Sequence, residues 1–154
     1  MLVDPDDALL EALMAPRILT ALQLHGSETP ARTAEIASNF GIETWKVISV
    51  KRAADVAAAA LYSGAAQRIL FDAKTPDDAS RPGGMGLRFD WSLLSGWKGA
   101  TPWGLAGGLT PENVAEAIAA TGASLVDTSS GVESAPGIKD VGRVAAFTAA
   151  VRGA

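Results

Sequence analysis

Residues 44–73, TWKVISVKRAADVAAAALYSGAAQRILFDA, decide the fold. The opening TWKVISV is rich in β-branched residues and reads as a strand. Residues 53–62 are alanine-rich, carry high helix propensity and are stopped by Gly64. Residues 68–73, RILFDA, form a second apolar strand with its one acidic residue near the C-terminal end. A helix joining two buried strands is the crossover of a parallel βα unit, because a hairpin would need only a short turn. Toward the N-terminus the same alternation continues. Residues 27–40 predict a helix opened by Ser-Glu-Thr-Pro and stopped at Gly41. Residues 18–25 (ILTALQLH) predict a strand, and residues 4–14 a helix with Asp4 as N-cap and Pro5 in its first turn. Leu2 and Val3 form a strand stump before it. Toward the C-terminus, residues 74–88 hold Pro76, Pro82, Gly83, Gly84 and Gly86 and predict a loop long enough to be functional. A short helix at 91–95, a strand at 101–106, a helix at 111–120 capped by Thr110 with Pro111 first, a strand at 124–128 and a helix at 140–152 complete the reading. The chain is thus expected to be α/β, with about five parallel βα units in one domain spanning residues 1–154.

Composition narrows the function. The 154 residues are 48% hydrophobic and 19% charged, which suits one domain with a core. A net charge of -4 argues against a nucleic-acid partner, since that binding draws on clustered Lys and Arg. No apolar run approaches the roughly 20 residues of a membrane span, and no signal-like N-terminus is read, so a cytoplasmic location without membrane contact is expected. Cysteine is absent and His25 is the single histidine. A thiolate nucleophile and a His- or Cys-based metal site are therefore excluded from these residues.

Three places carry chemistry. Leu105-Ala106-Gly107-Gly108-Leu109-Thr110 and Asp127-Thr128-Ser129-Ser130-Gly131-Val132-Glu133 are glycine-containing turns at the ends of consecutive strands. Glycines let backbone N–H groups approach an anion and serine hydroxyls add donors, so together the turns favour a phosphate, although each alone reads equally well as a tight βα connection. Asp72 ends an apolar strand, where barrel enzymes place catalytic groups, and a carboxyl beside Phe71 can stay protonated as a general acid. The competing reading of Asp72 is a carboxylate paired with Lys74 or capping the next loop.

Leu22-Gln23-Leu24-His25-Gly26, Leu70-Phe71-Asp72-Ala73-Lys74, Pro82-Gly83-Gly84-Met85-Gly86 with Phe89-Asp90-Trp91, residues 105–114 (LAGGLTPENV) and residues 126–139 (VDTSSGVESAPGIK) occur in this order. In that order they resemble the phosphoribosylanthranilate isomerases, whose fold is the (β/α)₈ TIM barrel. The resemblance covers nearly the whole chain from Leu2 onward and implies a partial barrel, about five units matching the family's strands four to eight. It implies an Amadori rearrangement of a sugar phosphate without a cofactor or metal. Asp72 then matches the family's general acid, Gly107, Gly108, Ser129, Ser130 and Gly131 its phosphate turns, and Asp127 and Gly84 its substrate contacts. His25 is expected to shape the strand end as a hydrogen-bonded structural residue.

The family's base is a cysteine on its first strand, and a substrate-binding arginine follows its second; neither segment is present. The resemblance therefore implies that the chain is inactive alone and needs an N-terminal complementing fragment or a second copy of itself. Two alternatives stand beside it: another sugar-phosphate barrel enzyme, such as an indole-glycerol-phosphate synthase or a ribulose-phosphate epimerase, and a non-catalytic half-barrel that binds phosphate.

Overall fold

The computed structural model describes residues 1–73 and 88–154. Their elements run α1 (Asp7–Met14), β1 (Ala21–Leu24), α2 (Pro30–Phe40), β2 (Glu43–Val50), α3 (Ala53–Ala58), β3 (Arg68–Ala73), β4 (Trp103–Leu105), α4 (Val114–Thr121), β5 (Glu133–Ala135), β6 (Ile138–Lys139) and α5 (Val141–Arg152). The α/β class and the parallel sheet follow the sequence reading, but among the described residues the sheet has four strands in the order β1-β2-β3-β4 and does not close into a barrel.

Residues 124–128, expected as a fifth strand, are reduced to one parallel bridge between Leu105 and Val126. Leu105 donates to Leu125 O and Asp127 donates to Leu105 O, both at 2.9 Å. Beyond Leu105 the chain enters the left-handed turn of Gly107 (φ 84) and Gly108 (φ 65), which leaves the ladder nothing further to pair with. On the other edge Leu2 bridges Leu24, so the stump is present as a single parallel bridge.

The two sheet faces differ. Ile48, Val50, Ile69, Phe71 and Leu105 point to the helical layer and pack with Val56, Leu94, Val114, Ala117 and Phe147. Val47, Leu70 and Ala106 occupy the opposite face, where Leu125 packs against them. Gly104 makes room for that residue, since a Cβ there would lie 2.3 Å from Leu125 Cδ2. Because β3 is covered on both faces, it reads as a continuous apolar run, and its bounds are those expected from RILFDA.

Helix ends account for the local differences. Thr29 caps α2 by accepting from Arg32 N, with Pro30 at its start and Gly41 left-handed at its end. Asp6, not Asp4, caps α1, because the Asp4 carboxylate accepts from Ser27 N at 2.7 Å and ties the first residues to the turn after β1. α4 begins at Val114 with Asn113 as N-cap rather than Thr110. The Asn113 side chain bonds both Thr110 N at 2.8 Å and Gly108 O at 2.9 Å, which holds residues 110–113 as a separate turn. The helix expected over 53–62 splits into α3 and a 3₁₀ turn, Ala59–Tyr62, and that expected over 91–95 is also 3₁₀, Trp91–Leu94. The hairpin of β5 and β6 is an addition that the sequence reading lacked. Among the described residues no helix is long and apolar enough to cross a membrane.

Candidate active site

The C-terminal ends of the parallel strands gather the sequence-designated residues. Asp72 lies one residue before the end of β3 and is buried. Burial pushes its carboxyl up to about 6; the Ala73 N–H opposes the shift and the charge of Asp127 adds to it. His25, just past β1, brings Nε2 to 3.5 Å from Asp72 Oδ2. Burial lowers the imidazole pKa below its ordinary range, and the Lys46 charge lowers it further. His25 thus does more than shape a strand end: it faces the designated acid.

The two glycine turns abut. A Cβ on Gly107 would stand 2.4 Å from Ala73 N and 2.6 Å from Asp72 Oδ1, so this turn is pressed against the acid. A Cβ on Gly131 would stand 1.8 Å from Leu109 O, while Thr128 Oγ1 donates to that same oxygen at 2.7 Å. The two turns therefore meet through Leu109, with Gly107 of the first against Asp72 and Asp127 of the second close enough for its charge to act on that carboxyl, while Gly108, Ser129, Ser130 and Gly131 lie along the same two turns. Gly84, in the loop expected over 74–88, lies outside the described residues.

Three residues of this region drew no role from the sequence, although Lys139 closes the motif of residues 126–139. Lys46, on β2, reaches Gly26 O and the Glu28 carboxylate, each at 2.7 Å. Lys139 and Arg143 hold carbonyl oxygens of the second glycine turn, Ser129 O at 2.8 Å and Gly131 O at 3.1 Å. Nothing in a Gly-Ile-Lys segment or a helical arginine announces such a contact, because each depends on the hairpin and α5 folding back over the turn.

The geometry yields two expected results. Gly131→Ala puts a methyl group into the Leu109 carbonyl, a backbone atom that cannot move aside alone, and should cost about 1–3 kcal/mol. Urea unfolding checks this, and a loss below roughly 0.5 kcal/mol would mean that the turns are not in enforced contact. Asp72 makes stability depend on pH. Its folded pKa of about 6 exceeds the ordinary 3.8, so the folded state binds the extra proton between those values and stability falls as pH rises through about 6. Asp72→Asn removes that penalty and should be more stable than the parent at pH 7.5 by up to about 3 kcal/mol, with the gap closing by about pH 4. Unfolding curves at both pH values decide it; a gap that does not change with pH would refute the buried-acid assignment.

The family model for N-(5'-phosphoribosyl)anthranilate (PRA) isomerase matches residues 2–150. The N-(5'-phosphoribosyl)anthranilate isomerase of Paramagnetospirillum magneticum is 54% identical over 153 residues, which are 99% of this chain and 71% of the relative. The crystal structure of phosphoribosyl anthranilate isomerase from Thermotoga maritima superposes with a TM-score of 0.81 at 32% identity, covering 99% of this chain and 71% of that one. A second phosphoribosyl anthranilate isomerase structure, in complex with reduced 1-(o-carboxyphenylamino)-1-deoxyribulose 5-phosphate, gives a TM-score of 0.78 at 30% identity, with 99% and 70% covered. The expectation that the chain matches only the family's strands four to eight is corrected: the family model is matched over residues 2–150, and 71% of the Paramagnetospirillum magneticum relative is covered. None of these likenesses supports the expectation that the chain is inactive alone.

Proposed function

The chain belongs to the N-(5'-phosphoribosyl)anthranilate isomerase family, and from that premise we propose that it serves the Amadori rearrangement of N-(5'-phosphoribosyl)anthranilate to 1-(2-carboxyphenylamino)-1-deoxyribulose 5-phosphate in tryptophan biosynthesis. The observation that carries this reading is Asp72, a buried carboxyl with its pKa near 6, pressed against Gly107 of the first glycine turn.

In this reading the protonated Asp72 gives its proton to the ring oxygen of the ribose as the C1–oxygen bond breaks. The electron pair of the anthranilate nitrogen forms the Schiff base. Loss of the C2 proton then gives the enolamine, which tautomerises to the ketone. The backbone N–H groups of Gly107, Gly108, Ser130 and Gly131 and the hydroxyls of Ser129 and Ser130 hold the 5'-phosphate, and Asp127 and Gly84 contact the rest of the substrate. His25, against Asp72, keeps the carboxyl facing the sugar. No cysteine occurs in these 154 residues, so the C2 proton transfer is not assigned to a residue of this chain. An N-terminal fragment of the family is the source proposed for it, and the setting proposed is the cytoplasm.

The test is steady-state conversion of freshly prepared phosphoribosylanthranilate by the purified chain, alone and mixed with the N-terminal βα units of a relative. Turnover in either arm supports the assignment. Failure of both, with the chain folded, would overturn it and favour a phosphate-binding module without catalysis.

A further inference from the structure

Lys139 stands directly across from Glu133 in the β5–β6 hairpin, and the hairpin hangs over the second glycine turn. The lysine ammonium has three N–H donors and no acceptor. It donates to Ser129 O at 2.8 Å, to Ser129 Oγ at 3.0 Å and to Glu133 Oε1 at 2.7 Å. Two consequences follow from that set. Because Lys139 can only donate, Ser129 Oγ must accept, which leaves the hydroxyl proton of Ser129 as a donor to something else. Because a trans peptide sets C=O and N–H on opposite sides, holding Ser129 O toward the hairpin turns the Ser130 N–H away from it. A cation on the carbonyl also polarises the peptide and strengthens that N–H as a donor. Arg143 holds the Gly131 carbonyl, with Nε 3.1 Å from Gly131 O and the guanidinium 3.4 Å from Glu112, and the N–H of that peptide, on Val132, turns back to Ser129 O at 3.4 Å.

We propose that Lys139 is a positioning residue for the phosphate group of the substrate: by gripping Ser129 through its carbonyl and hydroxyl oxygens, it presents the Ser130 N–H and the Ser129 hydroxyl proton to the phosphate. This rests on the assignment of the two turns as the phosphate site. Lys139 itself does not touch the substrate. Its charge is matched by Glu133, so its effect comes through the turn and not through a free positive charge near the anion.

The experiment titrates the full chain with inorganic phosphate and follows the amide resonances of Gly107, Gly108 and Ser130. The parent, Lys139→Met, Lys139→Arg, Ser129→Ala and the Lys139→Met/Ser129→Ala pair are compared. The parent should bind with shifts at all three amides, Lys139→Met should weaken binding about 10-fold or more, and Lys139→Arg should recover most of the loss. The double variant should be little worse than Lys139→Met, since both changes remove one shared contact. In turnover the loss should appear in KM with kcat nearly unchanged, which a general loosening of the fold would not produce. Unchanged phosphate affinity in Lys139→Met, or strictly additive losses in the pair, would overturn the proposal while leaving the phosphate site standing. No phosphate shifts in the parent would overturn the site and the proposal together. Should Lys139→Met fail to fold, Ser129→Ala against Lys139→Arg still decides: full affinity in Ser129→Ala contradicts the role given to its hydroxyl.

Discussion

Asp72→Asn lowers the conversion of phosphoribosylanthranilate by about 10²- to 10⁴-fold, the usual contribution of a positioned general acid. The amide keeps the size of the side chain and its approach to Gly107, but it has no proton to give to the ribose ring oxygen. The loss should therefore fall on kcat, with KM little altered, because the interaction removed is made as the C1–oxygen bond breaks. The pH profile supplies the sign. An acid works in its protonated form, so with a carboxyl pKa of about 6 the parent's rate should fall as pH rises through that value. At pH 7 only about one molecule in ten retains the proton. The variant's residual rate should lack that limb. Steady-state assays from pH 5 to 8 check both statements, in whichever arm, chain alone or chain with the N-terminal units, shows turnover. An Asp72→Asn protein that keeps its rate would remove Asp72 from the mechanism.

Lys46→Met destabilises the fold by about 3–5 kcal/mol, as expected when one partner of a buried ion pair is deleted. The side chains of Lys46 and Glu28 are only 3% and 2% exposed, so whichever charge remains is stranded away from water. The pair is also the centre of a network. Glu28 accepts from Asp4 N at 2.8 Å and Gly26 N at 3.0 Å, Lys46 donates to Gly26 O at 2.7 Å, and Tyr62 Oη donates to Glu28 O at 2.8 Å. Replacing both partners with apolar residues should not restore full stability, because the part-buried N–H groups of Asp4 and Gly26 would lose their acceptor. Urea unfolding of the single and paired variants measures this. A single-variant loss below about 1 kcal/mol would show that water reaches the site. Since Gly26 follows His25, the loss should also reach the contact between His25 and Asp72.

How far such features can be read in advance depends on where their partners lie along the chain. β3 was legible to the residue because a strand covered on both faces is apolar along most of its length, and in RILFDA only Arg68 at its start and Asp72 near its end are charged. The start of α2 was legible because Thr29, Pro30 and the closing Gly41 act on their own backbone neighbourhood. The caps of α1 and α4 were misplaced where a side chain left its local role for a distant or competing bond: Asp4 for Ser27, and Asn113 for Thr110 and Gly108. Lys46 shares the side of β2 that carries Ile48 and Val50, so alternation puts a charge on a core-facing position, and only the approach of Glu28 makes its burial tolerable.

By itself the sequence determined the βα alternation, the parallel class and the family motifs, and it named Asp72 and the two glycine turns as candidates. Each of these is written in residues close together in the chain or in the period of an element. Tertiary structure alone decided that the sheet of the described residues stays open at four strands, that His25 faces Asp72, and that Lys139 and Arg143 reach back to the carbonyls of Ser129 and Gly131. The reason is physical: burial, charge and hydrogen-bond partnership belong to pairs of groups, and until the chain folds, a residue type specifies only one member of each pair.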